Sequence, residues 1–489
     1  MSKFLAFDFG ASSGRGIIGT LENGKLSLQE IHRFPNGPVE ENGHFYWDYD
    51  RLSAEIITGL GKALEIEPEL DGIGIDTWGV DYLLFDRTDG RIVCRPFCYR
   101  DERTVEAAKI LGCVPMTELY AASGIYPNSF NTIFQLLAHQ REYPEDLKNS
   151  VFLPIPDAFA AMLGGDFTAE YTHCSTTGLL DPYTRDWCWE LIDRVGLPRK
   201  IFPKVVPSCT PGGMLKEEIC RKLNCKPIRI FKIASHDTGS AFMSVPAPAG
   251  QDFACISAGT WALFGTETDT PCISDETLKN GFTNEGGVCN TIRFLTNIMG
   301  SWLFQETRRV WNENGRDLSF SDMEKMALSA TPCKYLINPN DSRYFTPGDM
   351  PGRIAEFCRE SGQGEPDDAG IVRAIYDSLA MYFNNKLGLI SSITGKKYTV
   401  FNIVGGGTKD RLLMQLTADA MNIPVIAGPV EATAAGNILG QALASGNIAS
   451  LAEAREVIRN SFDVITYTPD AASHELFCRT AERFAEILK

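Results

Sequence analysis

The stretch Phe4-Leu-Ala-Phe-Asp-Phe-Gly-Ala-Ser-Ser-Gly-Arg-Gly-Ile-Ile-Gly19 is typical of an apolar strand, a turn of small residues and a second apolar strand. A stretch of the same kind, Phe253-Ala-Cys-Ile-Ser-Ala-Gly-Thr-Trp-Ala-Leu-Phe-Gly265, lies about half a chain further on. In both turns the side chains are too small to shield the backbone, so N–H and hydroxyl groups can converge on an anion. One such hairpin is typical of a surface turn, but one in each half of the chain predicts two clamps on a polyphosphate.

The length and the charge balance limit the classes to which this chain can belong. A chain of 489 residues exceeds what one hydrophobic core usually serves, and its length predicts about two to four domains. The net charge of −16 disfavours a surface for nucleic acid and a polybasic contact with a membrane. We therefore expect a phosphate compound to be held locally, by backbone groups and a metal ion rather than by a basic surface.

The cysteines and the N-terminus indicate the compartment. The 14 cysteines are scattered without the dense spacing of a disulfide framework, and no close pair has the second matching pair that a zinc site needs. A strand follows Met1 almost directly, and no stretch approaches the roughly 20 uncharged apolar residues of a membrane span. The sequence thus predicts reduced thiols in a cytoplasmic protein without a secretory leader or a membrane partner.

Helical and strand patterns alternate in the first half of the chain. Apolar residues recur at helical spacing over 52–64, behind a helix cap expected at Asp50. A buried strand follows at 72–78, and another strand is predicted at 228–234. This alternation is that of an α/β layer.

Pro246-Ala-Pro-Ala-Gly250 is the strongest chain-breaking segment in the middle of the sequence, and the second hairpin begins directly after it. We place a domain boundary there, which gives domains 1–247 and 248–489. The second half then shows a long helical pattern over 371–390 and a strand over 399–404. Because no short repeat is visible, the likeness of the halves predicts a duplicated fold rather than a duplicated sequence.

Asp8 ends the first buried strand, directly before the turn at 10–14. A carboxylate in such a place is costly unless it holds a cation or hydrogen-bond donors. Asp8 could position Mg²⁺ through water beside the phosphates, or it could cap its own turn, which is common for Asp. The second hairpin favours the metal role.

Two further turns offer unshielded backbone to a ligand. Gly259 and Thr260 supply backbone groups and a hydroxyl for the terminal phosphates, although an ordinary hairpin turn has the same local pattern. The triple glycine at 405–407 lies between a strand and a helix, where backbone can approach a flat or anionic ligand and the helix N-terminus adds partial positive charge. Packing relief at a strand end is the alternative for the triple glycine.

Asp237 follows a predicted strand in Ser235-His-Asp-Thr-Gly-Ser-Ala241. A carboxylate at such a strand end can accept the proton of a substrate hydroxyl as that hydroxyl attacks phosphorus. An ordinary pKa near about 4 would keep it ionised, as a base must be. An N-cap aspartate has the same local pattern, and we assign the neighbouring His236 to contact with the substrate.

Ile75-Asp-Thr-Trp-Gly-Val-Asp81 places an aromatic residue and a glycine at another strand end. Trp78 offers a flat apolar face of the kind that packs on sugar C–H groups, and Gly79 exposes backbone to a hydroxyl. A buried core tryptophan is an equally good interpretation of Trp78.

The sequence lacks the usual nucleotide-binding and hydrolase motifs. It has no G-x-x-x-x-G-K-[ST] loop, no G-x-G-x-x-G between a strand and a helix, no protein-kinase H-R-D signature and no H-E-x-x-H. We therefore expect phosphate binding of neither the P-loop nor the Rossmann kind.

Four segments stand in the order and spacing of a known family. They are Asp8-Phe-Gly-Ala-Ser-Ser-Gly-Arg15, Ser235-His-Asp-Thr238, Ser257-Ala-Gly-Thr-Trp261, and Val404-Gly-Gly-Gly407 with Gln415-Leu-Thr-Ala-Asp419. On these motifs the chain resembles the FGGY carbohydrate kinases, which belong to the actin-like, hexokinase-like superfamily of two-lobed ATPases. The resemblance implies an α/β fold with a duplicated ribonuclease H-like core and ATP in the interdomain cleft.

Further segments resemble most closely the family members that act on L-rhamnulose, and the likeness covers nearly the whole chain. They are Ile31-His-Arg-Phe-Pro-Asn-Gly37, Gly74-Ile-Asp-Thr-Trp-Gly-Val-Asp81, Tyr99-Arg-Asp101, Asn284-Glu-Gly-Gly287, Asn297-Ile-Met-Gly300, Ile337-Asn-Pro-Asn-Asp341 and Ala427-Gly-Pro-Val-Glu-Ala432.

The resemblance also implies a reaction and the residues that carry it. The reaction is ATP plus L-rhamnulose giving ADP and L-rhamnulose 1-phosphate, with Mg²⁺ and with Asp237 as the general base for the 1-hydroxyl. The implied ATP contacts are Ala11, Ser12, Ser13, Gly14, Arg15, Thr260, Gln305 and Gly406. The implied sugar contacts are Gly79, His236, Asp237, Thr238 and Asn297, with Asp8 near the metal. The oligomeric state stays open.

The chain departs from the family pattern at two places. After the triple glycine the family commonly has Asn where this chain has Asp410, which affects the polar contacts expected near the adenine. The segment 123–131 keeps the family's Ser-Gly-Ile and Phe-Asn but varies between them, so the rim of the sugar pocket is expected to differ.

Three hypotheses follow in descending order. The first is a kinase for L-rhamnulose, and the second is a related kinase for L-fuculose, L-xylulose or a glycerol-like polyol. The third is an actin-like ATPase that uses the two hairpins without a sugar. Asp237 and Trp78 argue against the third, because an assembly ATPase has no need of a strand end that binds sugar.

Overall fold

The computed structural model describes residues 1–112, 114–259 and 261–489. These residues pack into two compact units, each built from separate stretches of chain. Unit 1 comprises Met1–Ala249, Glu267–Leu295 and Ala432–Phe462, and unit 2 comprises Gly250–Thr266, Thr296–Glu431 and Asp463–Lys489.

The strands up to residue 249 all belong to unit 1. They are β1 Ser2–Phe9, β2 Ser13–Glu22, β3 Lys25–Pro35, β4 Val39–Glu41, β5 His44–Tyr46, β6 Gly72–Thr77, β7 Tyr82–Asp86, β8 Ser150–Pro154, β9 Ala169–Glu170, β10 Leu180–Asp181, β11 Asp186–Trp187, β12 Val205–Val206, β13 Thr210–Met214 and β14 Arg229–Lys232. The later strands are β15 Ala254–Ala258, β16 Trp261–Thr268, β17 Phe282–Gly286, β18 Ile292–Met299, β19 Phe401–Val404, β20 Val425–Ala427 and β21 Ile465–Tyr467.

The α-helices alternate with these strands along the chain. In the first half they are α1 Tyr49–Ile66, α2 Ala107–Leu111, α3 Met116–Ser123, α4 Thr132–Glu142, α5 Ile155–Leu163, α6 Tyr171–Cys174, α7 Trp189–Arg194, α8 Glu217–Leu223 and α9 Asp237–Met243. In the second half they are α10 Asp275–Lys279, α11 Trp302–Glu313, α12 Phe320–Ser329, α13 Met350–Glu360, α14 Asp368–Thr394, α15 Arg411–Met421, α16 Ala432–Ala444, α17 Leu451–Ser461 and α18 Ala471–Ile487.

The main sheet of unit 1 has the strand order β13-β14-β6-β1-β2-β3. The hairpin β1–β2 is antiparallel, β6 runs parallel to β1, β14 runs parallel to β6, and β13 closes the edge antiparallel. Strand β1 is covered on both faces, which its unbroken apolar run requires. Phe7 packs with Ile56 of α1 on one face, and Phe4 packs with Ile438 of α16 on the other.

Unit 2 repeats this order of strands. The hairpin β15–β16 is antiparallel, β19 runs parallel to β15, β20 runs parallel to β19, and β21 closes the edge antiparallel. Each hairpin predicted from the sequence thus stands beside the parallel strands of its own sheet. The prediction of an α/β fold with a duplicated core is confirmed.

The first long helix begins earlier than its apolar spacing indicated, and its cap is Asp48 rather than Asp50. The Asp48 carboxylate accepts a hydrogen bond from the backbone N–H of Arg51, and Asp50 lies in the first turn. Tyr49 is buried and stacks on Phe159, with the ring centroids 4.9 Å apart. An aromatic contact outside the apolar repeat therefore moves the start of this helix.

Helix α14 is longer at both ends than the predicted 371–390. Asp367 caps its start by accepting from the N–H of Gly370, and Gly395 ends it with a φ of 69°. A cap aspartate and a left-handed glycine are the usual stop signals, and both lie beyond the strictly apolar part of the pattern.

Two findings concern the described cysteines and helices. No disulfide links the thirteen described cysteines to one another. No helix among the described residues combines the length and the apolar character needed to cross a membrane.

Helices α9 and α16 approach each other closely inside unit 1, and small residues allow this. A Cβ atom added to Gly436 would lie 1.9 Å from the backbone oxygen of Ser240. A backbone atom cannot move aside as a flexible side chain can, so this contact requires glycine at 436.

The substitution Gly436→Ala is expected to lower the free energy of unfolding by roughly 1–3 kcal/mol or more, the cost that is typical of overpacking. The matched control is Gly61→Ala in α1, where the nearest atom, Leu223 Cδ2, lies 3.6 Å from the added Cβ, an ordinary contact. Thermal unfolding of both variants is the measurement, with a clear fall in Tm for the first alone. Equal Tm values would contradict the packing described.

Candidate active site

Three parallel strands of unit 1 end side by side, and their ends bring together the polar residues of the site. Asp8 lies opposite Asp76 in the register of β1 and β6. Thr77, the last residue of β6, pairs with His236, which follows β14. Asp237 begins α9 directly after His236. The carboxyl ends of parallel strands are where α/β sheets place their ligand sites.

The first hairpin pairs a carboxylate with a guanidinium. Asp8 and Arg15 are partners in the register of β1 and β2, and Arg15 Nη2 donates to Asp8 Oδ2. The turn between them closes through the N–H of Gly10, which donates to the carbonyl of Ser13 at 2.9 Å. Ser12 at its tip is exposed. The side chain of Asp8 is thus held by Arg15 rather than serving as a cap of its own turn.

Asp76 is a fully buried carboxylate that the sequence reasoning did not assign. Its Oδ2 accepts from Asn437 Nδ2 at 2.6 Å, and its Oδ1 has no hydrogen-bond partner among the described residues. Burial raises the pKa of Asp76 well above its ordinary value, and the charges of Asp8 and Asp237 add to this shift. The signal for it was available as the one acidic residue of an otherwise apolar strand.

Asp237 receives several donors on a single oxygen. Thr238 donates to Asp237 Oδ1 from its backbone N–H at 2.5 Å and from its hydroxyl at 3.0 Å. His236 Nε2 lies 3.4 Å from the same oxygen. Among the described residues, no hydrogen bond reaches Asp237 Oδ2.

The environment of Asp237 changes its acidity. Burial raises the pKa of Asp237 from its ordinary value, and the nearby charge of Asp8 adds to the rise while His236 opposes it. The expectation of an ordinary pKa was wrong, because these neighbours are distant in sequence. A raised pKa makes the carboxylate a stronger base as long as it stays ionised.

His236 stands in a buried network of charges. Arg293 Nη2 lies 3.2 Å from His236 Nδ1, and Glu285 Oε2 lies 3.3 Å from the same nitrogen. Arg293 Nη1 in turn lies 3.1 Å from Glu285 Oε2. Burial would raise the pKa of Glu285, but Arg293 and His236 together outweigh it and the pKa is lowered. Sequence reasoning missed Arg293 and Glu285, since nothing local ties them to His236.

Trp78 is a core residue, and its ring is not offered to a sugar. Its side chain is buried at 5% exposure and packs on Trp47, with the ring centroids 4.1 Å apart. Both indole N–H groups donate to Asp81 Oδ2, at 2.9 Å from Trp78 and 2.6 Å from Trp47. The interpretation of Trp78 as a sugar-packing face was wrong.

Gly79 nevertheless lies beside the catalytic candidates. A Cβ added at Gly79 would lie 3.1 Å from His236 Nε2 and 3.4 Å from Thr176 Oγ1. The backbone next to it is strained, because Val80 has a φ of 68°, in the left-handed region. Thr132 Oγ1 donates to the carbonyl of Val80 at 2.5 Å, which holds this turn in place.

Asp81 organises the loop that carries Gly79. Besides the two indoles, its carboxylate accepts from Gln135 Nε2 at 2.9 Å and from the backbone N–H of Tyr99 at 3.2 Å. Burial raises the pKa of Asp81 to about 6, even though these hydrogen bonds lower it. The loop is therefore held by a carboxylate with no contact to water.

Another buried carboxylate, that of Glu170, holds the segment before Asp237. Glu170 Oε2 accepts from the hydroxyl of Ser235 at 2.7 Å and from its N–H at 3.1 Å. The hydroxyl of Thr172 donates to the same oxygen at 2.6 Å. Glu170 was not assigned from the sequence, where it precedes a short helix 65 residues before Ser235.

The remaining predicted site residues lie in unit 2 or outside the described part of the chain. Gln305 is exposed on α11, and its Nε2 donates to Ser301 Oγ at 2.9 Å. Ser301 Oγ donates to the carbonyl of Gly259 at 2.7 Å, which connects Gln305 to the turn of the second hairpin. Thr260 in that turn lies outside the described residues.

The triple glycine packs against the end of β15. A Cβ on Gly405 would lie 2.9 Å from the carbonyl oxygen of Ala258, and a Cβ on Gly407 would lie 2.6 Å from Ala258 Cβ. At Gly406, by contrast, an added Cβ would meet no described atom within 4 Å. Packing therefore explains the outer two glycines, and the middle one faces open space.

Two further residues of unit 2 were singled out from the sequence, Asn297 and Asp410. Asn297 Oδ1 is buried without a hydrogen-bond partner among the described residues. Asp410 caps α15 by accepting from the N–H of Leu413 at 3.1 Å, and Tyr376 donates to its Oδ2 at 3.0 Å. Burial raises the pKa of Asp410 to about 6. The carboxylate of Asp410 is therefore hydrogen-bonded by residues of unit 2 itself.

Comparison with family models matches both halves of the chain. Residues 3–244 match the N-terminal domain of the FGGY family of carbohydrate kinases, and residues 254–445 match its C-terminal domain. The two matches together cover most of the chain.

Curated relatives and solved structures give the same picture. A rhamnulokinase of Bacteroides thetaiotaomicron is 40% identical over 470 residues, which cover 96% of each chain. A rhamnulokinase of Bacillus subtilis is 39% identical over 95% of each chain. A ligand-bound xylulose kinase from Lactobacillus acidophilus has a TM-score of 0.80 at 16% identity, with 100% of this chain and 98% of that one covered. Plasmodium falciparum glycerol kinase with ADP also has a TM-score of 0.80 at 16% identity, with 99% of this chain and 98% of that one covered.

The raised pKa of Asp81 has a consequence for stability. The protonated form is favoured in the fold, so the stabilisation is present below the ordinary pKa of 3.8 and is lost as the pH rises through about 6. Between pH 4 and pH 7.5, the free energy of unfolding of the wild type should fall relative to that of Asp81→Asn by about 2 kcal/mol. Urea unfolding of both proteins measures this.

The control for this experiment is Asp193→Asn. The pKa of Asp193 is lowered by its hydrogen bond to Arg199, so its stabilisation is lost only below the ordinary pKa of 3.8, and the difference between the wild type and this variant should stay nearly constant between pH 4 and pH 7.5. A pH-independent difference between wild type and Asp81→Asn would show that Asp81 is ionised in the fold throughout this range.

Proposed function

Because this chain belongs to the FGGY family of carbohydrate kinases, we propose that it transfers the γ-phosphate of ATP to the 1-hydroxyl of L-rhamnulose, giving L-rhamnulose 1-phosphate and ADP. Relatives named rhamnulokinase, 36–40% identical over 95–99% of this chain, support the choice of sugar. One observation carries the chemistry. Asp237 stands at the strand ends with Oδ1 bound by donors and Oδ2 without a hydrogen bond from any described residue.

Asp237 is the general base in this proposal. Its Oδ2 takes the proton of the 1-hydroxyl as that oxygen attacks the γ-phosphorus, and the bond to the leaving ADP breaks. The two donors of Thr238 on Oδ1, with His236 Nε2 3.4 Å from the same oxygen, fix the direction in which Oδ2 points. The raised pKa of Asp237 increases its strength as a base. Positioning of the two reactants supplies most of the remaining acceleration.

The proposed sugar contacts are Gly79, His236, Asp237, Thr238 and Asn297. Gly79 supports this role because a side chain there would approach His236, so the absence of a Cβ leaves room beside that ring. Asn297 supports it because its buried Oδ1 needs a donor, and a sugar hydroxyl is one.

The proposed nucleotide contacts are Ala11, Ser12, Ser13, Gly14, Arg15, Thr260, Gln305 and Gly406. The exposed tip of the first turn and the open space at Gly406 support them. Carboxylate oxygens are the ligands that Mg²⁺ prefers, and the acidic cluster around Asp8 fits such an ion. When bound, Mg²⁺ would neutralise charge on the β- and γ-phosphates. Asp8, already paired with Arg15, would contact it through water.

Two further statements remain proposals. The division into sequence domains 1–247 and 248–489 is one, and the cytoplasmic location is the other. The hypothesis of an ATPase without a sugar substrate is the least supported, since both halves match domains of carbohydrate kinases.

A panel of sugars tests the proposed substrate. ADP release is measured with ATP and, in turn, L-rhamnulose, L-fuculose, L-xylulose and glycerol, and without any sugar. We expect kcat/KM to be highest for L-rhamnulose, because relatives named rhamnulokinase are 36–40% identical over 95–99% of this chain. Equal or better turnover of another sugar would assign the protein to the second hypothesis, and ADP release independent of sugar would favour the third.

The substitution Asp237→Asn tests the base. An amide cannot accept the hydroxyl proton, so kcat should fall by roughly 10²–10⁴-fold while ATP still binds. Steady-state kinetics and a nucleotide-binding titration measure the two effects. Asp193→Asn, an exposed position in an ion pair with Arg199, is the matched control and should keep full activity. Retention of most of the kcat by Asp237→Asn would remove Asp237 from this role.

A further inference from the structure

Four buried or half-buried polar side chains of unit 1 form a row of direct contacts. Glu285 on β17 lies beside Arg293 on β18, Arg293 meets His236, and His236 meets Asp237. Arg293 is fully buried, and its Nε donates to the carbonyl of Gly286 at 2.8 Å. Burying a guanidinium is costly unless its partners are fixed, so this arrangement needs an explanation.

We propose that Arg293 is a positioning residue that holds His236 as the tautomer with its proton on Nε2. The inference rests on the proposed role of Asp237 as the base. In this arrangement His236 donates to Asp237 Oδ1, and Asp237 Oδ2 is kept for the proton of the sugar hydroxyl. Neither Arg293 nor Glu285 needs to touch the substrate.

The first step of the argument is the donor chemistry of arginine. A guanidinium has only N–H donors and no acceptor. The contact from Arg293 Nη2 to His236 Nδ1, 3.2 Å long, has the geometry of a hydrogen bond. His236 Nδ1 must then be the acceptor and carry no proton, which leaves the proton on Nε2.

The second step concerns the competitor for the same nitrogen. Glu285 Oε2 lies 3.3 Å from His236 Nδ1, but it has no hydrogen bond of acceptable geometry among the described residues. If Nδ1 carried the proton, Glu285 would be its acceptor. Arg293 thus prevents this alternative in two ways, by donating to Nδ1 itself and by attracting the carboxylate of Glu285 at 3.1 Å.

The third step follows the proton to the base. His236 Nε2 faces Asp237 Oδ1, where the two donors of Thr238 already converge. With Nε2–H as a third donor, Oδ1 is saturated and the basic lone pairs are those of Oδ2. With the other tautomer, a lone pair of Nε2 would face the carboxylate and repel it.

His173 is the other titratable group that faces this ring. Its ring centroid lies 6.2 Å from that of His236, and its Nε2 lies 3.1 Å from the carbonyl of Trp78. Burial lowers the pKa of His173 to about 3, and His236 adds to the effect. His173 is therefore neutral, and it adds no charge that would change the tautomer of His236.

Nitrogen NMR of the protein with ¹⁵N-labelled histidine tests the proposal directly. Long-range ¹H–¹⁵N spectra distinguish the two neutral tautomers and the imidazolium, and the chain has only 6 histidines. The signals of His236 are assigned by their loss in His236→Gln. At pH 8, without substrate, we expect the Nε2–H pattern in the wild type. The Nδ1–H pattern or an imidazolium would overturn the proposal. This test does not require a substitution of Arg293 or Glu285.

Two variants then test the cause. Glu285→Gln keeps Arg293 and should keep the Nε2–H pattern. The double variant Arg293→Met with Glu285→Gln leaves no buried charge unpaired, and it should lose the single Nε2–H pattern and show a fall in kcat of roughly ten- to hundredfold, less than the loss of the base itself. An unchanged tautomer in a folded double variant would overturn the role of Arg293. The spectra are recorded without substrate, so the tautomer found for His236 does not depend on which sugar the protein prefers.

Discussion

The parallel pairing of β1, β6 and β14 is the constraint on which the rest of unit 1 depends. It fixes the ends of three strands at one edge of the sheet, and the register then sets Asp8 opposite Asp76 and Thr77 beside His236. Burial together with the nearby charge of Asp8 raises the pKa values of Asp76 and Asp237. A base stronger than an ordinary aspartate follows from the fold itself, without any special residue type.

The cost of these buried charges is offset by partners from other parts of unit 1. Glu170 receives the donors of the Ser235 segment, and Asp81 receives two indoles, an amide and a backbone N–H. Arg293 balances Glu285 behind His236. Each of these networks fixes one turn that carries a residue proposed to contact the substrate. The movement of that residue is thereby restricted. Rigid support of this kind is what positions reacting groups to within fractions of an ångström.

Local patterns in the sequence predicted both hairpins, the strands beside them and two long helices, because strand alternation, helical spacing and glycine turns act over short distances. The hairpins and β6, predicted over 72–78 and observed over Gly72–Thr77, illustrate this. The first helix differed at its start, since Tyr49 packs outside the apolar repeat and Asp48 supplies the cap. Trp78 could not be assigned from sequence because burial depends on Trp47, which is distant in the chain. Asp76, Glu285 and Arg293 were missed for the same reason. Their roles arise only from strand register and from contacts over many residues.

The central claim is that Asp237 directs phosphoryl transfer to the 1-hydroxyl of a ketose. The product formed from ATP and L-rhamnulose, analysed by ³¹P NMR with coupling to the sugar protons, tests this most directly. The account predicts one phosphate ester coupled to the protons on C1, formed in step with ADP. An ester on another carbon, or inorganic phosphate without any sugar ester, would contradict it.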